Sequence, residues 1–449
     1  MGLADFERSA HSPGHSSFHL ERIGALADRL GNPHLGIPTV HVAGTKGKGS
    51  TAAMVTSILG AQGHTVGLFT SPHLHSVVER VRVGPDPIGR EEFAAHVAEM
   101  WRDVEWTGEN GGFGDVTFFE MLTAMAFRHF QQVGVDFQVV EVGLGGRLDS
   151  TNIVSPDVCA ITPVSLDHVA TLGDTVAKIA AEKAGILKQG VPVVVAPQPP
   201  EALEVILEVA KDNGAPVVRV GVDVTYQGRS AELSGQSFEV SGRLGSYELF
   251  TPLLGRHQIE NAATAVAVAE SLVQRGYDIS EDSIAQGLRD VVWPARFELV
   301  STGPPPVLVD GAHNPHSMGR LVEAVREHFE PAQLFVLFGA LGGHSVEGML
   351  EELAALSPRV LAVRSRQPRS APSDRMAAMA RSRGLEVVFA SDNVGEATRK
   401  ALEMAKEGDL VLGTGSLSVA AEVIEELRGV TPELYPYIKP PADPGVATV

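Results

Sequence analysis

The chain has 449 residues, enough for two or three folded units each with its own core, and its 44% hydrophobic and 20% charged residues are those of a globular protein rather than a disordered or coiled-coil one. A net charge of −19 repels phosphate backbones and anionic lipid, and no apolar stretch approaches the roughly 20 residues of a spanning helix, so nucleic-acid and membrane partners are not expected. The single cysteine, Cys159, cannot form an intrachain disulfide, and residues 1–17 are polar rather than signal-like, which points to a cytoplasmic protein.

In chain order, an apolar run at 39–43 ends in a glycine loop, and 50–61 carries apolar residues at helical spacing. Further strands are predicted at 65–69, 137–142, 158–161, 191–196 and 217–220, with helices at 91–106, 118–132, 175–188 and 202–213 between them. That alternation is the pattern of a mostly parallel sheet covered by helices. Residues 224–250 switch to period-two alternation broken by Gly and Ser, which predicts a small antiparallel appendage. Helices resume at 258–274 and 281–291, and Trp293-Pro294-Ala295 reads as a junction because proline blocks helix continuation. A second, smaller α/β unit follows, with strands at 307–309, 334–338, 360–363, 386–389 and 410–412. The expected division is 1–293, 294–439 and a flexible Pro-rich tail at 440–449.

The strongest chemical signal is the run His41 to Thr51, which holds Gly44, Thr45, Lys46, Gly47, Lys48, Gly49 and Ser50 between a strand and a helix. Glycines let successive N–H groups face one anion, the helix N-terminus adds its dipole, and Lys48 adds a point charge: a phosphate cradle, against the alternative of a ligand-free glycine turn. Its spacing departs from the standard P-loop, with two residues between Gly44 and Gly47 and Gly49 between Lys48 and Ser50. Glu141 stands where an apolar strand runs out, followed by Gly143-Leu144-Gly145-Gly146-Arg147-Leu148-Asp149. Taken alone it reads as an ordinary polar strand end; beside a phosphate loop it is placed to hold Mg²⁺. Asp167-His168, Glu182-Lys183 and Asp310-Gly311-Ala312-His313 add polar clusters after other strands, as a nucleotide site closed between two units requires.

These motifs resemble the folylpolyglutamate synthase and dihydrofolate synthase enzymes, relatives of the Mur ligases. The resemblance runs from about His34 to Glu422 through Thr70 to Leu74, Thr117 to Glu120, Glu141 to Asn152, Leu254 to Gln258 with Asn261, Arg296-Phe297, Asp310 to Pro315 and Gly415 to Leu417. It implies a P-loop-type sheet domain followed by a Rossmann-like α/β domain, acting as a monomer. It implies an ATP-dependent ligase that joins L-glutamate to reduced folates, and to dihydropteroate, through an acyl phosphate. Lys48 matches the lysine on the ATP phosphates, Ser71, Glu141 and His168 the Mg²⁺ ligands, and Lys183 the lysine these enzymes carbamylate with CO₂. Asn261, Arg296, Asp310 and His313 match ATP contacts, with Asp310 on the ribose. Phe119 and Asp149 match the pterin pocket of bifunctional members, and Arg147 is a further substrate candidate.

Two departures from the family pattern fall in the second unit: 339–344 lacks the usual charged residues after Gly-Ala-Leu, and Ser418 replaces a frequent aromatic. His73 and His75 have a metal-compatible spacing, but a loop-positioning role is the expectation. A cell-wall Mur ligase, or a nucleotide-regulated ATPase switch, is the rival reading. The short stretch before Gly44, with no room for a nucleotide-sugar module, counts against the former.

Overall fold

The computed structural model describes residues 3–5, 18–342 and 345–433; the expected tail at 440–449, and Gly343 and His344 of the departing loop, lie outside these. Two sheets organise the chain. The first contains β1 (Thr39–Ala43), β2 (Val66–Phe69), β3 (Val81–Val83), β4 (Asp86–Pro87), β5 (Phe137–Glu141), β6 (Val158–Ile161), β7 (Val193–Val195) and β8 (Val217–Arg219). Their spatial order is β4-β3-β2-β5-β1-β6-β7-β8, parallel except for the antiparallel β3 and β4 at one edge. The parallel strands are near-continuous runs of Val, Ile, Ala and Phe because helices cover both faces.

Chain order and spatial order part at β1, which pairs with β5 on one side and β6 on the other. The loops that follow these three strands therefore emerge side by side at one sheet edge, the crevice where open α/β sheets bind ligands. Val42 lies abreast of both Glu141 and Ala160, so Glu141 ends its strand beside the start of the glycine loop.

The helix Lys48–Ala61 is buried along nearly its whole length, against the helices Arg256–Gln274 and Glu281–Asp290. A β-carbon on Gly287 would stand 2.4 Å from the Ile58 Cα, so the last of these contacts is backbone against backbone. The antiparallel appendage is a three-stranded sheet of β9 (Thr225–Glu232), β10 (Gly235–Ser241) and β11 (Ser246–Thr251), in the order β11-β10-β9. Its apolar face, with Phe238, Val240, Tyr247 and Leu249, joins the core around the Lys48–Ala61 helix.

The second sheet comprises β12 (Glu298–Ser301), β13 (Val307–Val309), β14 (Leu334–Phe338), β15 (Arg359–Val363), β16 (Glu386–Ser391) and β17 (Leu410–Thr414), ordered β12-β13-β17-β14-β15-β16. Only β12 is antiparallel. The helix Leu20–Arg29 and the strands β3, β4 and β12 were not anticipated from sequence. The strands are short pieces at or next to a sheet edge and carry Arg, Glu or Pro, which blunts both the alternation signal and the edge itself. The helix expected over 175–188 is Val176–Ala184, ending before Gly185. No helix among the described residues is long and apolar enough to cross a membrane. Cys159 is buried, and burial pushes its thiol up to about 12, so it packs as an apolar side chain.

Candidate active site

A cavity of about 940 Å³ lies between the two sheets' strand ends, at the upper end of the roughly 300–1,000 Å³ of small-molecule sites. Of the residues expected to contact nucleotide, metal or substrate, all line it except Thr51 and Arg147.

Those two need correction. One residue along a helix is a turn of about 100°, so Thr51 faces inward from Ser50, with no exposed surface and no partner for its hydroxyl. Arg147 turns outward and pairs with Glu182 at 2.9 Å on an exposed face.

The glycine loop is shaped by contacts that exclude side chains. Gly44 has φ +147° and Gly47 φ +84°, and β-carbons there would stand 1.8 Å from Thr162 Oγ1 and 2.3 Å from Asn261 Oδ1. The N–H groups of Thr45 and Lys46 donate to the Pro163 carbonyl at 2.9 and 3.2 Å, tying the loop to the end of β6. Asn261 is itself fixed by a hydrogen bond that its Nδ2 donates to Gln258 Oε1 at 2.9 Å.

Lys48 Nζ stands 3.6 Å from Glu141 Oε1, and the Ser71 N–H donates to Glu141 Oε2 at 3.2 Å. Burial pushes the Glu141 carboxyl up, against the pull of Lys48, the Ser71 N–H and Arg296. A buried carboxylate with one cation beside it is a fitting ligand for a divalent ion, and Ser71 and His168 line the same cavity. Lys183 is 4% exposed and donates to the Gly44 carbonyl at 2.7 Å. Burial, then the neighbouring Lys48, lower its pKa to about 7.

Lys46 bridges the two halves of the molecule. Its Nζ is 2.9 Å from Asp167 Oδ2 and 2.9 Å from His313 Nε2. His313 Nδ1 faces the Gly311 carbonyl at 2.9 Å, so it carries the proton and Nε2 accepts from the lysine. Asn314 also donates to Asp167, at 3.4 Å. Burial alone would raise the Asp167 pKa, but Lys46, His168 and His313 outweigh it and hold the carboxyl well below its ordinary value.

Arg296 is presented by a constrained turn: its neighbours Ala295 and Phe297 have φ +55° and +48°, left-handed conformations that non-glycine residues seldom adopt. The Asp310 carboxylate holds that turn, accepting from the N–H groups of Phe297 at 2.9 Å and Ala312 at 2.8 Å. The Ala295 carbonyl accepts from the Gly311 N–H at 3.1 Å, lacing the turn to the end of β13.

Asp149 is likewise committed to its own loop. Its carboxylate accepts from Leu144 N at 2.8 Å and from Thr151 N and Oγ1 at 3.0 and 2.5 Å. Phe119 opens the helix Phe118–Val133, packs 5.8 Å from the Phe69 ring and faces Gly143, where a β-carbon would clash at 2.5 Å.

Several cavity residues were not singled out in the sequence. Arg22, paired with Glu120 at 2.8 Å and bonded to the Phe113 carbonyl, comes from the unanticipated helix Leu20–Arg29, whose Ile23, Leu26 and Ala27 spacing was the available signal. Glu422, Glu425 and Arg366 line the far wall, and His75 reaches across to Glu425 at 2.9 Å. Burial, against the pull of Arg366, pushes the Glu422 carboxyl up to about 7. Arg80 Nε donates to His73 Nδ1 at 2.9 Å within the same loop, whereas His75 is committed to the opposite unit. The departures from the family pattern are filled locally: Arg369 bonds the Gly342 carbonyl at 2.9 Å, and Ser418 links Ser365 and Ser416 at 2.9 and 3.1 Å.

A glycine loop on one sheet facing Arg296, Asp310 and His313 on another is the architecture of a Mur-type ligase. Residues 110–269 match the Mur ligase middle domain, and residues 295–417 match the Mur ligase glutamate ligase domain. A Bacillus subtilis dihydrofolate synthase/folylpolyglutamate synthase is 40% identical over 341 residues, 75% of this chain and 79% of that one. The structure is similar to Mycobacterium tuberculosis folylpolyglutamate synthase complexed with ADP, with a TM-score of 0.86 and 32% identity over 94% of this chain and 96% of that one. It is also similar to Escherichia coli FolC in complex with DHPP and ADP, with a TM-score of 0.83 and 32% identity over the same shares of each chain. The chain belongs to the dihydrofolate synthase/folylpolyglutamate synthase family of Mur ligases.

Proposed function

We propose that this protein is an ATP-dependent ligase that joins L-glutamate to dihydropteroate and to reduced folates, acting as a cytoplasmic monomer. The observation that carries the reading is that one cavity is lined by the glycine loop with Lys48 on the first unit and by Arg296, Asp310 and His313 on the second. A carboxylate is a poor electrophile because its oxygens share negative charge. Attack of a substrate carboxylate oxygen on the γ-phosphorus forms an acyl phosphate and releases ADP. The glutamate α-amine then attacks the acyl carbon, and the tetrahedral intermediate collapses with loss of phosphate, the amine having given up its proton.

No covalent enzyme intermediate is needed, so the residues act by position and charge. Gly44 to Ser50 cradle the phosphates and Lys48 lies against the β and γ groups. Arg296 and His313 approach the transferring phosphoryl group from the second unit, while Asn261 holds the loop and Asp310 the Arg296 turn and the ribose. Ser71, Glu141 and His168 would hold Mg²⁺, which would supply neutralisation of phosphate charge. Lys183 is the lysine to be carbamylated: its pKa near 7 leaves a large neutral fraction at physiological pH, the form that adds to CO₂. Phe119 offers a ring for the pterin, and Asp149 fixes the loop beneath it.

The test is phosphate release from ATP with Mg²⁺ and glutamate, comparing dihydropteroate with tetrahydrofolate as acceptor. Release dependent on glutamate with both acceptors is expected. Release with tetrahydrofolate alone removes the second activity, and ATP turnover indifferent to glutamate and acceptor removes the ligase reading in favour of an ATPase switch.

A further inference from the structure

On the side of the first sheet where the helices Arg90–Asn110 and Phe118–Val133 pack together, Glu92, His96 and His129 converge, with one ligand atom from each within 4.8 Å of the others. None of the three lines the cavity. Glu92 and His96 are four residues apart and so share one helix face, and His129 comes from the partner helix. Both histidines are 3% exposed, and the buried Nδ1 of each has no hydrogen-bond partner. The rings meet edge to face at 5.4 Å, and His129 Nδ1 lies 3.3 Å from Glu92 Oε1.

We propose that Glu92, His96 and His129 form a binding site for Zn²⁺ or a similar transition-metal ion, separate from the ligase site. Two imidazole nitrogens and one carboxylate oxygen are the donor set of a three-ligand zinc site whose fourth position takes water. Ligand distances of about 2.0–2.1 Å separate the donors of a tetrahedral zinc by about 3.3 Å, the separation already found between His129 and Glu92. Glu92 is half-exposed, so its side chain can adjust to the ion, and the opening to solvent supplies an entry path. Burial lowers the pKa of both histidines, which keeps them in the neutral, ligating form near pH 7. The adjacent cation, Arg128, is engaged by Glu99. The ion would pin the two helices together, and the second of them carries Phe119 and Glu120 into the cavity.

The test uses tag-free, chelator-stripped protein with Mg²⁺ in excess throughout. Zn²⁺ is titrated calorimetrically, and Co²⁺ by visible absorption. The wild-type protein should take one equivalent of zinc, show the intense bands of tetrahedral cobalt, and unfold at a higher temperature with zinc present. His96→Gln and His129→Gln should each weaken binding at least about tenfold and abolish the thermal shift, while circular dichroism shows both folded. His168→Gln, in the cavity, should leave the titration unchanged. Absence of binding by the wild type, binding unaltered in both helix variants, or loss of binding in His168→Gln would each overturn the proposal.

Discussion

Lys183 is held where a protonated amine is costly, buried behind the glycine loop with Lys48 nearby. Its pKa is about 7 in the folded chain against an ordinary 10.5, so between those values the unfolded chain binds more protons than the folded one. Stability therefore rises with pH across that window, and the penalty of burying the charge is complete below about pH 7. In CO₂-free buffer, Lys183→Met should be more stable than the wild type at pH 6, by an amount on the order of a few kcal/mol, and the gap should close as pH rises toward 10. Thermal midpoints measured across that range check this; a constant gap would contradict it. The same variant should lose ligase turnover. Lys48→Ala has a different consequence, since Lys48 faces the cavity beside Glu141: a loss of about 100-fold or more in glutamate-dependent phosphate release. Motif residues such as these were legible in the sequence because their chemistry depends on residue type and spacing. Thr51 was misread because helical direction sends adjacent residues to different faces, and Arg147 because Glu182, which draws it outward, comes from another element.

The elements that position the site do so through close approaches. Helix Glu281–Asp290 presses Gly287 onto the backbone at Ile58, and so backs the helix that follows the glycine loop. Gly287→Ala gains about 1 kcal/mol of helix propensity, but the new methyl meets backbone atoms that cannot rotate away, at a cost of about 1–3 kcal/mol. Overpacking should win, and chemical denaturation should show a net loss of stability; an unchanged or raised midpoint would mean that the two helices separate freely. The parallel strands were readable because burial on both faces gives unbroken apolar runs. The edge strands β4 and β12, and β3 beside β4, were not, since such short pieces are recognised by their neighbours rather than by their own few residues.

Across the whole molecule the net charge is −19, and in the cavity Lys46, Lys48, Lys183 and Arg296 stand among the carboxylates Glu141, Asp149, Asp167 and Asp310, so local pairing rather than net charge sets its character. The two halves are joined there by Lys46, Asp167, His313 and Asn314, and at the far wall by His75 and Glu425. Asp167→Ala would leave Lys46 a largely buried cation without its carboxylate, which we expect to cost about 3 kcal/mol and to enlarge the radius measured by small-angle X-ray scattering. An unaltered radius and thermal midpoint would show that this contact does not hold the halves together. The sequence by itself determined the two α/β units, the glycine loop between strand and helix, and the family, because local periodicity and motif spacing are properties of the chain. Only the tertiary structure decided that Lys46 meets His313, that the Asp310 and Asp149 carboxylates hold loops, and that Glu92, His96 and His129 converge. Those contacts join residues from separate elements, and their burial and partners come into being only when the elements pack.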